Sequence, residues 1–258
     1  MTHRHFPILN AARGAALPAH LQVPGIDDAE PRPWYSMQNK SQATGEIFIY
    51  DEIGGFWDGT TAKDFARDLK ALGKITTLNV FINSPGGSVF DGVAIFNVLQ
   101  RHKAHKVVSI DGMALSIASV VAMAGNEIRM ADNGMMMIHD PWTITIGNAA
   151  EMREMADNLD KVAANIRRTY VDRTGAQDSA VQDMMAAETW MDAREALDLG
   201  FIDAIGEDVQ IAAKARGFAP SLSRYEHTPP ALADAAAQPP VDYRDRVVQL
   251  RERTKNRL

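Results

Sequence analysis

A chain of 258 residues with a net charge of -6 is long enough to bury the core of one large α/β domain with tails, and its negative balance argues against a general nucleic-acid binder. The absence of cysteine excludes a disulfide framework, a thiolate metal site and a thiol nucleophile, and it fits a reducing compartment. Met1–Pro24 lacks the basic-then-apolar pattern of a secretion signal and no apolar run is long enough to cross a bilayer, so a soluble cytoplasmic protein is expected.

Residues 1–41 contain Pro18, Pro24, Pro31 and Pro33 among polar residues without a sustained period, which predicts an irregular N-terminal arm with Trp34–Tyr35 docking on the core. Glu46–Tyr50 reads as the first strand. Thr61–Leu72 reads as a helix, with Thr61 and Asp64 spaced as a capping box and Gly73 as its stop. Leu78–Ile82 is a branched apolar strand that passes through Asn83-Ser84-Pro85-Gly86-Gly87-Ser88 into a helix over Val89–Arg101. A strand over Lys106–Ile110, a helix over Ser116–Gly125 and strands at Glu127–Met130 and Met135–His139 follow. The alternation predicts an α/β fold with a mostly parallel sheet and crossover helices, and functional groups collected where the strands end.

Asn148–Arg173 reads as one long helix, with Met152, Met155, Leu159, Val162, Ile166 and Tyr170 on a stripe. Such a helix can project, so its stripe serves either a neighbouring subunit or the core of its own domain. A helix near Asp178–Ala187, a short helix capped by Asp192 and a strand at Phe201–Ile202 complete a domain over 42–216. Five of the chain's twelve prolines fall within 218–240, so 217–240 reads as a Pro/Ala-rich linker, and 241–258 as a basic segment that is disordered or helical with a partner.

The chemistry concentrates in two places. Ser116 stands where a small-residue turn enters a buried helix, and His139 ends an apolar strand, so they form a candidate nucleophile and base. Ser119 is the next candidate nucleophile. Acyl transfer also needs oxyanion donors, and the paired glycines of the Asn-Ser-Pro-Gly-Gly loop let the main chain approach a substrate closely, which points to the N–H groups of Gly87 and Ile117. The third group must be a carboxylate. Among Asp140, Glu188, Asp192 and Asp203, Asp140 lies beside the histidine and points to the opposite side of an extended strand, and Asp192 is committed to a cap, which favours Glu188.

Four stretches together resemble the Clp protease proteolytic subunit family: Phe81-Ile82-Asn83-Ser84-Pro85-Gly86-Gly87-Ser88-Val89, Gly112-Met113-Ala114-Leu115-Ser116, Met137-Ile138-His139-Asp140-Pro141, and Glu195-Ala196-Leu197-Asp198-Leu199-Gly200-Phe201-Ile202-Asp203. Glu188-Thr189-Trp190 is similar to the phage head-maturation (prohead protease) branch. The resemblance covers about Glu46–Ile205 and implies a ClpP/crotonase-like fold and a serine endopeptidase with Ser116, His139 and Glu188 as its triad. It further implies heptameric, stacked rings of identical subunits with the long helix at the ring contact, phage scaffold or capsid proteins as substrates, and no cofactor or metal.

Some residues depart from the family pattern. Glutamate stands at 188 where aspartate is usual in the ATP-dependent members, Ala118 replaces a frequent glycine, and the N-terminal arm does not resemble the pore loops that dock an unfoldase, which weighs against a Clp ATPase partner. The alternatives are an ATP-dependent Clp proteolytic subunit, a crotonase-like acyl-CoA enzyme that would not need the Ser–His pair, and a ring-forming virion component with a vestigial site.

Overall fold

Residues 33–54, 60–206 and 218–236 are described in the computed structural model of the chain, all within the unit 33–258. The backbone forms an eight-stranded sheet: β1 (Tyr35–Asn39), β2 (Thr44–Ile49), β3 (Thr77–Ser84), β4 (His105–Leu115), β5 (Glu127–Ala131), β6 (Met135–Ile138), β7 (Thr189–Met191) and β8 (Ala204–Gly206). The order is β1-β2-β3-β4-β5-β8, with β6 beside β4 and β7 beside β6. Only β1–β2 and β6–β7 are antiparallel. The expected mostly parallel α/β fold is therefore what forms.

Helices α1 (Ala62–Ala71), α2 (Val89–Arg101) and α3 (Ile117–Ala122) make the crossovers between β2, β3, β4 and β5. Their ends follow local chemistry. Thr61 and Asp64 close the anticipated capping box on α1, and Ser88 accepts from the Asp91 N–H at the start of α2. Every residue of α3 is buried, as expected of a helix that is apolar all round.

The functional edge is created by the length of β4. Its first half pairs with β5 through Val107–Ile110, and its second half pairs with β6 through Met113–Leu115. The carboxyl ends of β3, β4 and β6 therefore lie side by side, and β7 runs back along β6 with Ile138 opposite Thr189. That register carries Glu188, one residue before β7, to the neighbourhood of His139, one residue after β6.

Helix α4 (Ala149–Thr174) spans about 39 Å at 1.5 Å per residue. Ile166 and Tyr170 near its end are buried in the core, whereas Met152 and Met155 near its start are exposed. The anticipated stripe thus has two halves with different surroundings. Helices α5 (Asp178–Ala186) and α6 (Ala193–Asp198) follow, α6 with the Asp192 capping box.

Four expectations are corrected. Residues 35–39 of the presumed irregular arm form β1, although Trp34 and Tyr35 do dock on the core as expected, Trp34 stacked on Phe65. The last core strand is Ala204–Gly206 rather than Phe201–Ile202, both of which are buried side chains in the preceding turn. The strand expected at Lys106–Ile110 continues to Leu115. Within the presumed linker, Ala219–Leu222 forms α7 and Pro230–Ala236 forms α8. Residues 1–32 of the arm and the basic segment 241–258 lie outside the described residues.

Candidate active site

The turn that carries Ser116 is strained. Ser116 has φ 53° and ψ -128°, and its N–H donates to the Met137 carbonyl at 2.9 Å, which anchors the turn to β6. Glu188 has φ 49°, and these are the only two non-glycine residues with positive φ among those described. A positive φ at a residue with a Cβ costs on the order of 1–3 kcal/mol and persists only where the surroundings impose it. Both residues were singled out from sequence for chemistry.

Ser116 Oγ lies 2.7 Å from His139 Nε2. The hydroxyl and the imidazole, twenty-three positions apart in the chain, are thus in hydrogen-bond contact across the ends of β4 and β6. Burial pushes the His139 pKa below the usual histidine value, against the upward pull of the Glu188 and Asp140 charges. The ring is therefore neutral at pH 7 and able to accept a proton from the serine.

The glycine loop stands opposite. Gly86 has φ 101° and Gly87 φ 137°, both in the region that side chains rarely adopt. A Cβ on Gly86 would come within 2.8 Å of the Ser116 Cβ, and one on Gly87 within 2.2 Å of the Ile53 carbonyl oxygen. The bridge between Ile53 and this loop uses the Ile53 N–H to Gly86 O and the Ser88 N–H to Ile53 O, leaving the Gly87 N–H outside it. The Ile117 N–H belongs to the first turn of α3, where an α-helix has no internal acceptor for it.

Of the four carboxylates, Glu188 is the one carried to the histidine by strand pairing, but its oxygens are engaged elsewhere. They accept from Trp190 Nε1 at 3.1 Å, the Glu226 N–H at 3.0 Å and the His227 N–H at 2.7 Å. Burial would raise this carboxyl; those donors and the nearby His139 outweigh it and hold the pKa below the usual glutamate value. Asp192 accepts from Arg194 and Glu195 N–H groups as the α6 cap, and Asp203 accepts from the Ile128 N–H at 2.7 Å and from Arg173 at 2.5 Å. Asp140 is exposed beside the histidine.

Ser119 is buried and donates to the Ser116 carbonyl at 2.6 Å while its oxygen also meets the Tyr170 hydroxyl at 2.8 Å. These contacts tie the strained turn to α4 and suit Ser119 to support rather than attack. Ser119→Ala should destabilise the fold by about 1–3 kcal/mol, since it leaves the buried Tyr170 hydroxyl without that partner. A lowered Tm in thermal unfolding checks this.

Sequence reasoning missed one group at the site. Tyr225, between α7 and α8, places its ring edge-on to His139 with centroids 5.3 Å apart and donates its hydroxyl to the Pro85 carbonyl at 2.5 Å. Nothing in a Pro/Ala-rich composition marks it; the cue would have been Phe218, Leu222 and Tyr225 at helical spacing.

Fold and site together define an α/β protein with a serine–histidine pair at the carboxyl ends of parallel strands, the layout of a serine hydrolase. The sequence profile described as Clp protease matches residues 29–209. The chain belongs to the Clp protease family, a family of serine peptidases whose proteolytic subunits self-assemble into rings. It is 33% identical over 144 residues to the ATP-dependent Clp protease proteolytic subunit of Streptococcus agalactiae, covering 54% of this chain and 74% of that protein. The proteins of that name from Chlorella vulgaris (30% identical, 73% of this chain, 93% of the relative) and Oltmannsiellopsis viridis (31%, 71% and 93%) match over more of the length.

Proposed function

We propose that this chain is a serine endopeptidase in which Ser116 attacks the peptide carbonyl and His139 Nε2 takes and later returns the proton. Glu188 fixes the other ring nitrogen, and the N–H groups of Gly87 and Ile117 receive the oxyanion. The observation that carries the reading is the 2.7 Å contact between Ser116 Oγ and His139 Nε2 beside a loop whose two glycines admit no side chain. The balance is that of acyl transfer: the serine oxygen bonds to the carbonyl carbon, the amine leaves with the histidine's proton, and water then releases the acyl group.

Assembly through α4 belongs to the same reading. Trp142, Ile144, Ile146, Met152 and Met155 are exposed along the stretch after His139 and the start of α4, an apolar surface suited to a second copy of the chain. Met152→Glu with Met155→Glu is expected to lower the assembled mass, read by light scattering.

For the substrate, the Glu188-Thr189-Trp190 signature and the dissimilar N-terminal arm favour scaffold or capsid proteins of a phage head. Incubating the assembled protein with the structural proteins encoded beside its gene should release new termini, and their formation should stop on fluorophosphonate treatment. A second reading, a proteolytic subunit that works with an ATPase, is favoured by the names of the relatives. Degradation of casein only in the presence of a Clp ATPase and ATP would select it.

A further inference from the structure

The second hydrophobic cluster of the molecule lies beside the catalytic turn. Met113 and Leu115 of β4 and Met137 of β6, each fully buried, face the strand ends, and Phe218, Leu222, Leu232 and Ala236 cover them. Trp190 and Tyr225 pack on the same cluster. The cover is therefore α7, α8 and the turn between them, which the sequence separates from the rest of the domain by 207–217.

The cover is held by more than apolar contact. Ser221 Oγ donates to Glu52, on the loop after β2, at 2.8 Å, and Arg224 Nη1 pairs with the same carboxylate at 2.6 Å. Thr228 Oγ1 donates to the Leu222 carbonyl at 2.9 Å and closes the turn. Between these fastenings, residues 225–227 reach the glycine loop, the histidine and the glutamate of the candidate site. The Tyr225 hydroxyl donates to the Pro85 carbonyl and its ring stands edge-on to His139. Its oxygen would lie 3.2 Å from a Cβ on Gly86. The next two N–H groups hold the Glu188 carboxylate.

Tyr225 gives its one hydroxyl proton to the Pro85 carbonyl, which holds the phenol against the glycine loop. A scissile carbonyl must lie between Ser116 and the Gly86–Gly87 main chain, which is where the phenol oxygen stands. The Glu226 and His227 amides, together with Trp190, compete with His139 for the Glu188 carboxylate.

We infer that Phe218–Ala236 is an internal inhibitor of this chain's own active site, seated over serine, histidine and glutamate together, and that it must leave before a peptide can enter. This rests on the peptidase reading above. The seated turn presents a phenol oxygen to the glycine loop that would hold a substrate carbonyl.

The test uses the full chain with Tyr225→Ala and, separately, with Ser221→Ala plus Arg224→Ala, which loosen the segment at two different contacts, the Pro85 carbonyl and the Glu52 carboxylate. A site closed most of the time reacts in proportion to its open fraction, so fluorophosphonate labelling of Ser116 is expected to quicken at least about tenfold in each. A synthetic peptide of residues 218–236 added to the Tyr225→Ala chain should reverse the gain. Hydrogen–deuterium exchange over 84–88 and 113–117 gives a readout independent of turnover, and it should rise in both variants. A wild-type chain that labels as fast as both variants, or exchange unchanged in both, overturns the inference and leaves the peptidase reading standing. Exchange that rises in chains none of which label overturns the peptidase reading and keeps the segment in its seat.

Discussion

Ser116→Ala is expected to abolish fluorophosphonate labelling and to lower peptide hydrolysis by at least about 10³-fold, because removal of one member of a nucleophile–base pair leaves only binding and oxyanion stabilisation. The ratio should be the same in the full chain and in a Tyr225→Ala background, since the substitution deletes the reacting oxygen and not access to it. The assembled mass should not change. Ser116 Oγ meets His139, whereas the turn is fixed by the Ser116 N–H on Met137 and by Ser119 on the Ser116 carbonyl, and alanine keeps both of these main-chain contacts. Alanine also tolerates φ 53° no worse than serine does, so no large loss of stability is expected. Persistent labelling at another serine would remove the assignment of the nucleophile and with it the catalytic role given to the glycine loop.

What the sequence made legible follows from how local the determining physics is. The α2 helix has the anticipated limits, Val89–Arg101, because a serine cap and an apolar period coincide there. The Ser116 and His139 pair could be named from strand-then-turn patterns at each residue taken separately. What no local pattern contains is the branch point in the sheet. Asp111 and Gly112 look like a turn, yet β4 runs through them and exchanges β5 for β6 as its neighbour, and that exchange is what brings His139 to Ser116. The positive φ at Ser116 and Glu188 is likewise imposed by tertiary packing and carries no residue-type signal.

The C-terminal segment was misread for a different reason. Averaging composition over 217–240 gives a linker, but burial needs only a few anchors, and Phe218, Leu222, Leu232 and Ala236 supply them against a cluster the strands leave open. The amphipathic stripe of the long helix fixes a pattern and leaves two destinations open, and the helix divides between them. Ile166 and Tyr170 go to the core of this subunit, while Met152 and Met155 remain exposed.

Glu188→Gln is expected to cut kcat by about 10²–10⁴-fold, the range over which loss of the group that orients the histidine acts in comparable triads. Two other roles of Glu188 must be separated from this one. It holds the Glu226 and His227 amides, so an amide in its place also loosens the internal segment, which by itself would raise turnover; making the substitution in a Tyr225→Ala background removes most of that opposing effect. It also accepts from Trp190, a contact the glutamine oxygen can still make. The pH profile then distinguishes an electrostatic partner of the histidine from a merely structural residue. Burial lowers the His139 pKa and the Glu188 charge raises it, so removing the charge must move that pKa further down. Because the base works in its neutral form, the acid limb of kcat/KM should shift to lower pH while the plateau falls. A structural role would lower the plateau and leave the limb in place. An undisturbed rate would mean that the exposed Asp140, whose charge also acts on the ring, is sufficient, and Glu188 would then be left with holding Trp190 and the internal segment.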